Sequence, residues 1–208
     1  PERPILEDLL SELRSDDIFY DIGANIGLYS CLVASIVDPT VVAFEPHPKN
    51  ADRLAQNVSL NNSDVSIQRV AIAASSGRAQ MQLSPGFELD RVGSAGHTLL
   101  TEYYDEDSEV ISVEKRRGDE FVTKEEIPPP TVLKIDTEGT EMDVLEGFAS
   151  ILARPECRLV YCEIHEDRLR SQQYSVSDVS AFLRSHGFSV EKRSVEDYAV
   201  FVRGKKPD

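Results

Sequence analysis

The sequence lacks the features that mark several classes of protein. Its longest apolar runs have the length of a β-strand, so we predict no membrane-spanning segment. It has three cysteines, an odd number without a Cys-x-x-Cys pair, which indicates free thiols in a reducing compartment. Residues 1–14 carry charges throughout and have no apolar signal core, so we expect a cytoplasmic location.

Positive charge is also scarce. The 208 residues contain 22 lysines and arginines against 37 aspartates and glutamates, which gives a net charge of −15. Binding to a nucleic-acid backbone or to an anionic membrane surface rewards concentrated Lys and Arg, so both partners are disfavoured. Only 7 of the basic residues are lysines. Because acidic side chains keep a surface hydrated, we hypothesise that the protein is adapted to high salt.

The order of the apolar segments predicts a single α/β domain over residues 1–208. After an N-terminal helix within residues 1–15, short apolar runs typical of buried strands alternate with helices. The last two strands are too close in sequence for a parallel crossover. We therefore predict a doubly wound, mostly parallel, Rossmann-like seven-stranded sheet with an antiparallel last strand. Its strands are expected at 18–22, 41–44, 65–73, 131–135, 158–164, 188–192 and 198–202.

Residues 78–117 interrupt this alternation. We predict strands at 78–83 and 110–115, joined by a long polar and acidic stretch. An irregular segment of this length inside a compact domain is usually functional or mobile. Within it, residues 93–98 place small hydroxylated residues between glycines, which is typical of a flexible loop that contacts a polar substrate.

The loop after the first strand is rich in glycine, and ligands of doubly wound sheets bind at the carboxyl ends of strands. A dinucleotide fingerprint needs glycines at positions 23, 25 and 28, but this chain has Asn25 and Leu28, and no Walker loop follows. The loop could be a tight turn only. Its carboxylate, however, suits a cationic or zwitterionic ligand such as the amino end of S-adenosylmethionine. The loop reads Asp21-Ile22-Gly23-Ala24-Asn25-Ile26-Gly27.

A second acidic residue, Glu45, follows the next strand of the sheet. A carboxylate at the tip of the second strand can accept both hydroxyls of a ribose. Because Asp21 lies at the neighbouring strand tip, the two acids together predict a nucleoside-binding site at this edge.

Four segments of the chain resemble the FkbM family of S-adenosylmethionine-dependent methyltransferases. They span residues 19–27, 42–46, 133–141 and 163–165, and the Asp-x-Glu-Gly-x-Glu run at 136–141 is the most specific. The resemblance covers most of the chain and implies the class I methyltransferase sheet, with an antiparallel last strand. The residues that it places around the S-adenosylmethionine cofactor are Asp21, Gly23, Asn25, Gly27, Glu45 at the ribose and Ala71 near the adenine.

Methyl transfer to a hydroxyl needs a base at the carboxyl ends of the central strands. Asp136 ends the fourth strand of the sheet and is the first candidate, although an Asp there could instead cap the following helix. His165 follows the next strand and could accept a proton near neutral pH. Glu138 could share this catalytic site or favour the start of the helix.

A divalent cation is a competing use of these residues, because carboxylates supply oxygen ligands. No zinc-binding spacing accompanies them, so we predict no metal. The candidates for such a cluster are Asp136, Glu138, Glu141, Glu163 and His165.

The sequence therefore predicts an S-adenosylmethionine-dependent methyltransferase that methylates an oxygen of a small molecule or glycan, with residues 78–117 on the acceptor side. Two alternatives stay open. A nicotinamide-dependent oxidoreductase could use the same fold, but the replaced glycines disfavour it. A non-catalytic domain could keep the fold and bind a partner. The sequence does not indicate an oligomeric state.

Overall fold

A computed structural model describes residues 3–84, 93, 96–100, 108–195 and 199–207. In this part of the chain ten strands and eight helices follow one another. The strands are β1 (Ile18–Ile22), β2 (Thr40–Phe44), β3 (Val65–Gln68), β4 (Ala71–Ala73), β5 (Gly77–Gln82), β6 (Val110–Arg117), β7 (Val132–Ile135), β8 (Leu159–Ile164), β9 (Ser189–Val195) and β10 (Ala199–Lys205). The helices are α1 (Arg3–Glu12), α2 (Leu28–Ile36), α3 (Pro48–Leu60), α4 (Gly118–Lys124), α5 (Glu141–Gly147), α6 (Ala149–Leu152), α7 (Glu166–Ser171) and α8 (Val176–Ser185).

Seven strands form the main sheet, in the order β3-β2-β1-β7-β8-β10-β9. The last strand, β10, runs antiparallel to both of its neighbours, and the remaining pairs are parallel. The predicted fold class is confirmed. Strand β1 pairs with β2 on one side and with β7 on the other, which places Ile22, Phe44 and Ile135 side by side. The strand order reverses here, and such a switch point is where doubly wound sheets bind ligands.

A second sheet contains three strands, in the order β4-β6-β5. The prediction of one strand over residues 65–73 was wrong, because the chain leaves the main sheet after Gln68. Val70 then turns into the core, and Ala71–Ala73 pairs with β6 instead of continuing beside β2. Ala71 therefore begins a strand of the second sheet and does not lie at the tip of the third strand. The two strands predicted within 78–117 are present as β5 and β6.

Helices cover both faces of the main sheet. Phe19 packs on the side of α1 and α2, whereas Tyr20 packs on the side of α5 and α8. The alternation follows from the pleat of a strand, in which successive side chains point to opposite faces. Because both faces are covered, the central strands are apolar along their whole length, apart from a few polar side chains that belong to the site described below.

Two short helices, α5 and α6, follow β7 and meet at Phe148. Gly147 ends α5 where the helix crosses β4. A Cβ at this position would lie 2.3 Å from the backbone oxygen of Ala73, so only glycine permits this close approach. Helix α7, directly after β8, was not predicted.

The three cysteines are buried and free, in agreement with the sequence. Among the described residues, no helix combines the length and the apolar character needed to cross a membrane.

Candidate functional site

The loop after β1 is held tightly between β2 and β7. The backbone N–H groups of Gly23 and Ala24 both donate to the carbonyl oxygen of Phe44, at 3.0 Å each. Gly23 has a φ of +80°, and a Cβ on it would lie 1.9 Å from the backbone oxygen of Asp136. Glycine is therefore required at this position, both for the left-handed backbone and for the contact with the loop after β7.

Gly27 serves packing and does not face the site. It has a φ of +87° and stands directly before α2, and a Cβ there would lie 2.2 Å from Cδ1 of Leu54. Asn25, between the two glycines, also has a left-handed backbone, with a φ of +51°. This conformation costs Asn less than most side chains, which explains an Asn at this turn.

Glu45 joins the tips of β1 and β2. One carboxylate oxygen accepts the backbone N–H of Asn25 at 2.8 Å, and the other accepts the N–H of His47 at 2.7 Å. Burial raises the pKa of Glu45 to about 8, with help from the negative charges of Asp21 and Asp136, although the two hydrogen bonds oppose the shift. The carboxyl group is therefore poised to gain or lose its proton near neutral pH.

Asp21 lies below the loop and does not line the cleft. Its carboxylate accepts the hydroxyl of Ser30 at 2.7 Å, and its other oxygen is 3.7 Å from Nζ of Lys134. Burial raises the pKa of Asp21, and the neighbouring Lys134 cation opposes this. The predicted contact between Asp21 and a ligand stays a prediction.

Asp136 follows β7 and is a quarter exposed, with its side chain towards the cleft. Its carboxylate accepts a hydrogen bond from Nζ of Lys134 at 3.2 Å. The alternative role considered from the sequence, capping of the next helix, is not found, because the N-cap residue of α5 is Thr140. Asp136 is thus available for chemistry in the cleft.

Glu138, His165 and Arg168 form a cluster beside Asp136. One carboxylate oxygen of Glu138 lies 2.6 Å from the Arg168 guanidinium and 3.1 Å from Nε2 of His165. Its other oxygen accepts the backbone N–H of Gly96 at 2.8 Å. Glu138 therefore ties α7 and the loop around Gly96 to the end of β7.

The surroundings of His165 favour its charged form. Burial lowers the pKa of His165, but the hydrogen bond with the fully buried Glu141 and the negative charges of Glu138 and Asp136 outweigh this and raise it to about 9. An imidazolium cannot accept a proton from a hydroxyl. The cluster therefore gives His165 an electrostatic role in the resting site, and a role as the base stays a prediction.

A cleft runs between these strand tips and the second sheet. It contains six of the nine residues predicted for the site, whereas Asp21, Gly27 and His165 do not line it. The lining residues are Ile22, Gly23, Asn25, Phe44, Glu45, Pro46, Asn50, Val70, Ala71, Ile72, Met81, Gly96, His97, Leu99, Asp136, Thr137, Glu138 and Thr140.

Several lining residues were not predicted. Asn50 accepts the backbone N–H of Gly93 through its side chain, at 2.9 Å. His97 stacks on His47, with ring centroids 4.8 Å apart, and burial together with the charges of His47 and Arg168 lowers the pKa of His97 to about 4. These contacts join segments that are far apart in sequence, so no local pattern signals them. Thr137 could have been found, because it lies between two predicted residues.

The residues present fit a nucleoside-type cofactor. Oδ1 of Asn25 and Oγ1 of Thr137 are buried at the cleft and have no hydrogen-bond partner among the residues that the structure describes. A buried polar atom without a partner is costly, so both atoms are suited to a ligand that supplies one. Met81, Leu99 and Ile72 form an apolar part of the lining that suits the face of an aromatic base.

The same site offers three possible metal ligands, one atom each from Asp136, Glu138 and His165, which lie within 4.8 Å of one another. Glu138 is already paired with Arg168, and the other residues are linked to Lys134 and Glu141. A cation would have to compete with Arg168 and Lys134 for the two carboxylates, and with the proton that Glu141 and Glu138 help to hold on His165. We therefore assign no metal to this group.

Comparison with known proteins gives consistent matches. The model of the methyltransferase FkbM domain matches residues 21–190. The hexuronic acid methyltransferase AglP of Haloferax volcanii is 30% identical over 99% of this chain and 77% of its own length. The 31-O-demethyl-FK506 methyltransferase FkbM of Streptomyces tacrolimicus is 29% identical over 86% of this chain and 75% of its own length.

Solved structures match the fold. An rRNA methylase from Streptococcus thermophilus has a TM-score of 0.61 at 12% identity, covering 100% of this chain and 97% of that protein. TrmK of M. capricolum, solved with its natural cofactor product S-adenosyl-homocysteine, has a TM-score of 0.55 at 12% identity, covering 98% of this chain and 68% of that protein. At these identities the likeness shows the fold alone.

Proposed function

Because the chain belongs to the FkbM methyltransferase family and is an S-adenosylmethionine-dependent enzyme, we propose that it methylates an oxygen of a glycan or of a small molecule, with Asp136 as the base for a hydroxyl acceptor. The observation that carries the assignment of the base is that Asp136 lines the cleft beside the partnerless polar atoms of Asn25 and Thr137. The relatives act on a hexuronic acid and on an FK506 precursor, which supports an oxygen acceptor.

Different residues at the strand tips are proposed to bind different parts of the cofactor. When bound, S-adenosylmethionine supplies an electrophilic methyl group on a positively charged sulfur. Glu45 would accept the ribose hydroxyls, and Asn25 and Thr137 would offer polar atoms to the remainder of the ligand. Ala71 would contribute a small side chain to the wall near the adenine. Asp21 lies beneath the cofactor loop and would act on the ligand indirectly, through its negative charge and through its contact with Lys134.

The charges of the site are largely paired. Lys134 compensates Asp21 and Asp136, and Arg168 compensates Glu138. The exposed part of the Asp136 carboxylate still suits a cationic sulfonium.

The alternatives are disfavoured on other grounds. Asn25 and Leu28 replace glycines that the dinucleotide fingerprint needs, and the net charge of −15 disfavours nucleic-acid acceptors.

Asp136 lies at the end of β7 with its side chain towards the cleft, where a general base for a hydroxyl acceptor would act. It would take up the proton of the acceptor hydroxyl, and Lys134 donates a hydrogen bond to its carboxylate. His165, held as a cation by Glu138 and Glu141, balances the acidic cluster. Orientation of the acceptor supplies much of the remaining rate enhancement, because the reacting atoms must be in line.

The acceptor enters past the second sheet. Gly96 and His97 of the 93–98 segment line the cleft, and the backbone N–H of Gly96 donates to Glu138, two residues from Asp136. This supports residues 78–117 as the acceptor side. Residues 94 and 95 of the expected substrate-contacting loop lie outside the described residues, as do 85–92 and 101–107.

A paired experiment tests the proposal. Calorimetry with S-adenosylmethionine, S-adenosylhomocysteine and NAD measures which nucleoside binds. Transfer of a labelled methyl group is then measured to a disaccharide that ends in glucuronic acid and to one that ends in glucose. We expect binding of the two adenosyl ligands, transfer to sugar oxygen, and loss of transfer but not of binding in Asp136→Asn. Binding of NAD alone, or full transfer by Asp136→Asn, would contradict the proposal.

A further inference from the structure

We propose that Lys134 is a positioning residue, which holds the Asp136 carboxylate in place and couples it to Asp21 beneath the cofactor loop. The inference rests on the proposed function for the role of Asp136, and it names a residue for which the resemblance to the family gives no role. It follows from the placement of one buried cation between the tips of two strands.

Lys134 stands where an apolar residue is expected. It lies in the middle of β7 among Val132, Leu133 and Ile135, and its side chain is only 4% exposed. A buried lysine is costly unless its charge is compensated. The compensation comes from the carboxylates of Asp136 at 3.2 Å and Asp21 at 3.7 Å.

The geometry around the ammonium group fixes its direction. Asp21 and Lys134 are register partners on the adjacent strands β1 and β7, so the backbone itself brings them together. The ammonium also lies 4.5 Å from the centroid of the Tyr29 ring, on α2. A cation above an aromatic face is favourable, and the ring limits the positions open to the side chain.

The charge balance explains why a lysine is needed. Burial lowers the pKa of Lys134, but the carboxylates of Asp136 and Asp21 outweigh this and raise it, so the side chain remains a cation. Without this cation, Asp21 and Asp136 would face each other as two uncompensated carboxylates. Among the described residues, Lys134 is the only hydrogen-bond donor to the Asp136 side chain. Removal of Lys134 therefore frees Asp136 to turn away from the cleft.

A second buried lysine provides a matched control. Lys206 is also almost fully buried, but its ammonium donates to the backbone oxygens of Leu152 and Arg154, remote from the cleft. Lys206→Met therefore reports the general cost of removing a buried lysine. We expect this variant to lower the thermal midpoint and to leave kcat unchanged.

The test is made in two backgrounds. Lys134→Met leaves Asp21 buried without its cation, which could destabilise the fold. The double variant Lys134→Met with Asp21→Asn removes that charge and is compared with Asp21→Asn alone. We expect the double variant to lose about 10²-fold in kcat, the cost of a displaced catalytic group, with S-adenosylhomocysteine affinity unchanged by calorimetry. In a background that carries both Asp21→Asn and Asp136→Asn, Lys134→Met should cause no further loss.

Crystal structures of the two S-adenosylhomocysteine complexes give a readout that does not depend on activity. The Asp136 carboxylate should leave its place in the double variant and keep it in Asp21→Asn. An unmoved carboxylate, or equal kcat values in the two proteins, would overturn the role of Lys134. If the wild-type protein methylates no acceptor, the proposed function fails, and the crystal structures alone decide this inference.

Discussion

The carboxylate of Glu45, at the end of β2, accepts the backbone N–H of Asn25 in the loop after β1, at 2.8 Å. Two neighbouring strand tips are thus joined by a group that is also expected to bind the ribose. The loop cannot move away from β2 without exposing a buried carboxyl group or leaving one of its two oxygens without its donor. Cofactor binding and the conformation of the loop are therefore linked through one side chain.

Cofactor affinity is expected to depend on pH through Glu45. Burial raises the pKa of Glu45 to about 8 in the free protein, so below pH 8 most molecules carry the proton. The ionised carboxylate accepts two hydroxyls, and a ligand that binds this form must release the proton. Affinity for S-adenosylhomocysteine should therefore rise with pH, by up to about tenfold per unit, until pH 8, and then level off.

Calorimetry in buffers of different ionisation enthalpy measures both the affinity and the proton release. Glu45→Gln provides the control, because the amide cannot ionise, and its weaker affinity should be independent of pH. A wild-type affinity that stays constant from pH 6 to pH 9 would remove ribose binding by an ionised Glu45 from the proposal.

The sequence predicted the residues that follow directly from strand ends. Gly23, Asn25, Glu45 and Asp136 each lie at or just after the carboxyl end of a strand whose apolar run is easy to recognise, and all four line the cleft. Their roles towards a ligand stay predictions. The position of Ala71 was less well predicted. Its strand was read as a continuation of β3, because residues 65–73 are sufficiently apolar and no Gly or Pro marks the change of sheet.

Other properties could not be predicted because they arise from tertiary contacts. Arg168 lies on α7, a short helix without a clear periodic signal, and its pairing with Glu138 joins residues 30 apart in sequence. His165 was expected to be neutral enough to act as a base, but two carboxylates from the preceding segment hold it as a cation. The position of a single histidine in a sequence does not show which charged groups surround it in the fold.

Gly23 should be essential for cofactor binding. Gly23→Ala puts a methyl group against the backbone oxygen of Asp136, at a left-handed φ of +80°. Because that oxygen belongs to backbone and cannot turn aside, the loops after β1 and β7 must separate. We expect at least a hundredfold loss of S-adenosylhomocysteine affinity by calorimetry, together with a lower thermal midpoint.

Gly77→Ala is the matched control for this substitution. Gly77 also has a positive φ, +152°, but a Cβ there meets nothing within 4 Å. It should therefore show the cost of backbone strain without the clash, and retain cofactor affinity. Similar losses of affinity in the two variants would show that the contact between Gly23 and Asp136 has no special importance.

Methyl transfer should not require a divalent cation. Glu138 is occupied by the Arg168 guanidinium at 2.6 Å, and His165 carries a positive charge at neutral pH. A metal would have to displace the first and deprotonate the second before it could bind. We expect the same rate of transfer with excess EDTA, with EDTA followed by Mg²⁺, and with neither. Loss of activity in EDTA that Mg²⁺ restores would assign a metal to Asp136, Glu138 and His165.

Stability should increase with salt concentration. With a net charge of −15, the folded chain repels itself, and added salt screens this repulsion. We expect the thermal midpoint to rise between about 0.1 M and about 1 M KCl, as the Debye length falls from about 10 Å to about 3 Å, and then to level off. The rise should be as large with NaCl, since it depends on screening. A midpoint independent of salt would contradict adaptation to high salt.

Stability should also decrease at alkaline pH through His165. The pKa of this residue is raised from 6.5 to about 9 by Glu141, Glu138 and Asp136, against the effect of burial. A raised pKa means that the folded state holds the proton more tightly than the unfolded state. The stabilisation is therefore complete below pH 6.5 and is lost as the pH rises through 9.

Thermal midpoints of the wild-type protein and of His165→Gln should differ most at pH 6 and converge towards pH 10. His186→Gln, which alters a histidine at the end of α8 remote from the cleft, controls for general effects of replacing a histidine with glutamine. A difference between wild type and His165→Gln that is constant over the same range would show that His165 is not held as a cation by its acidic neighbours.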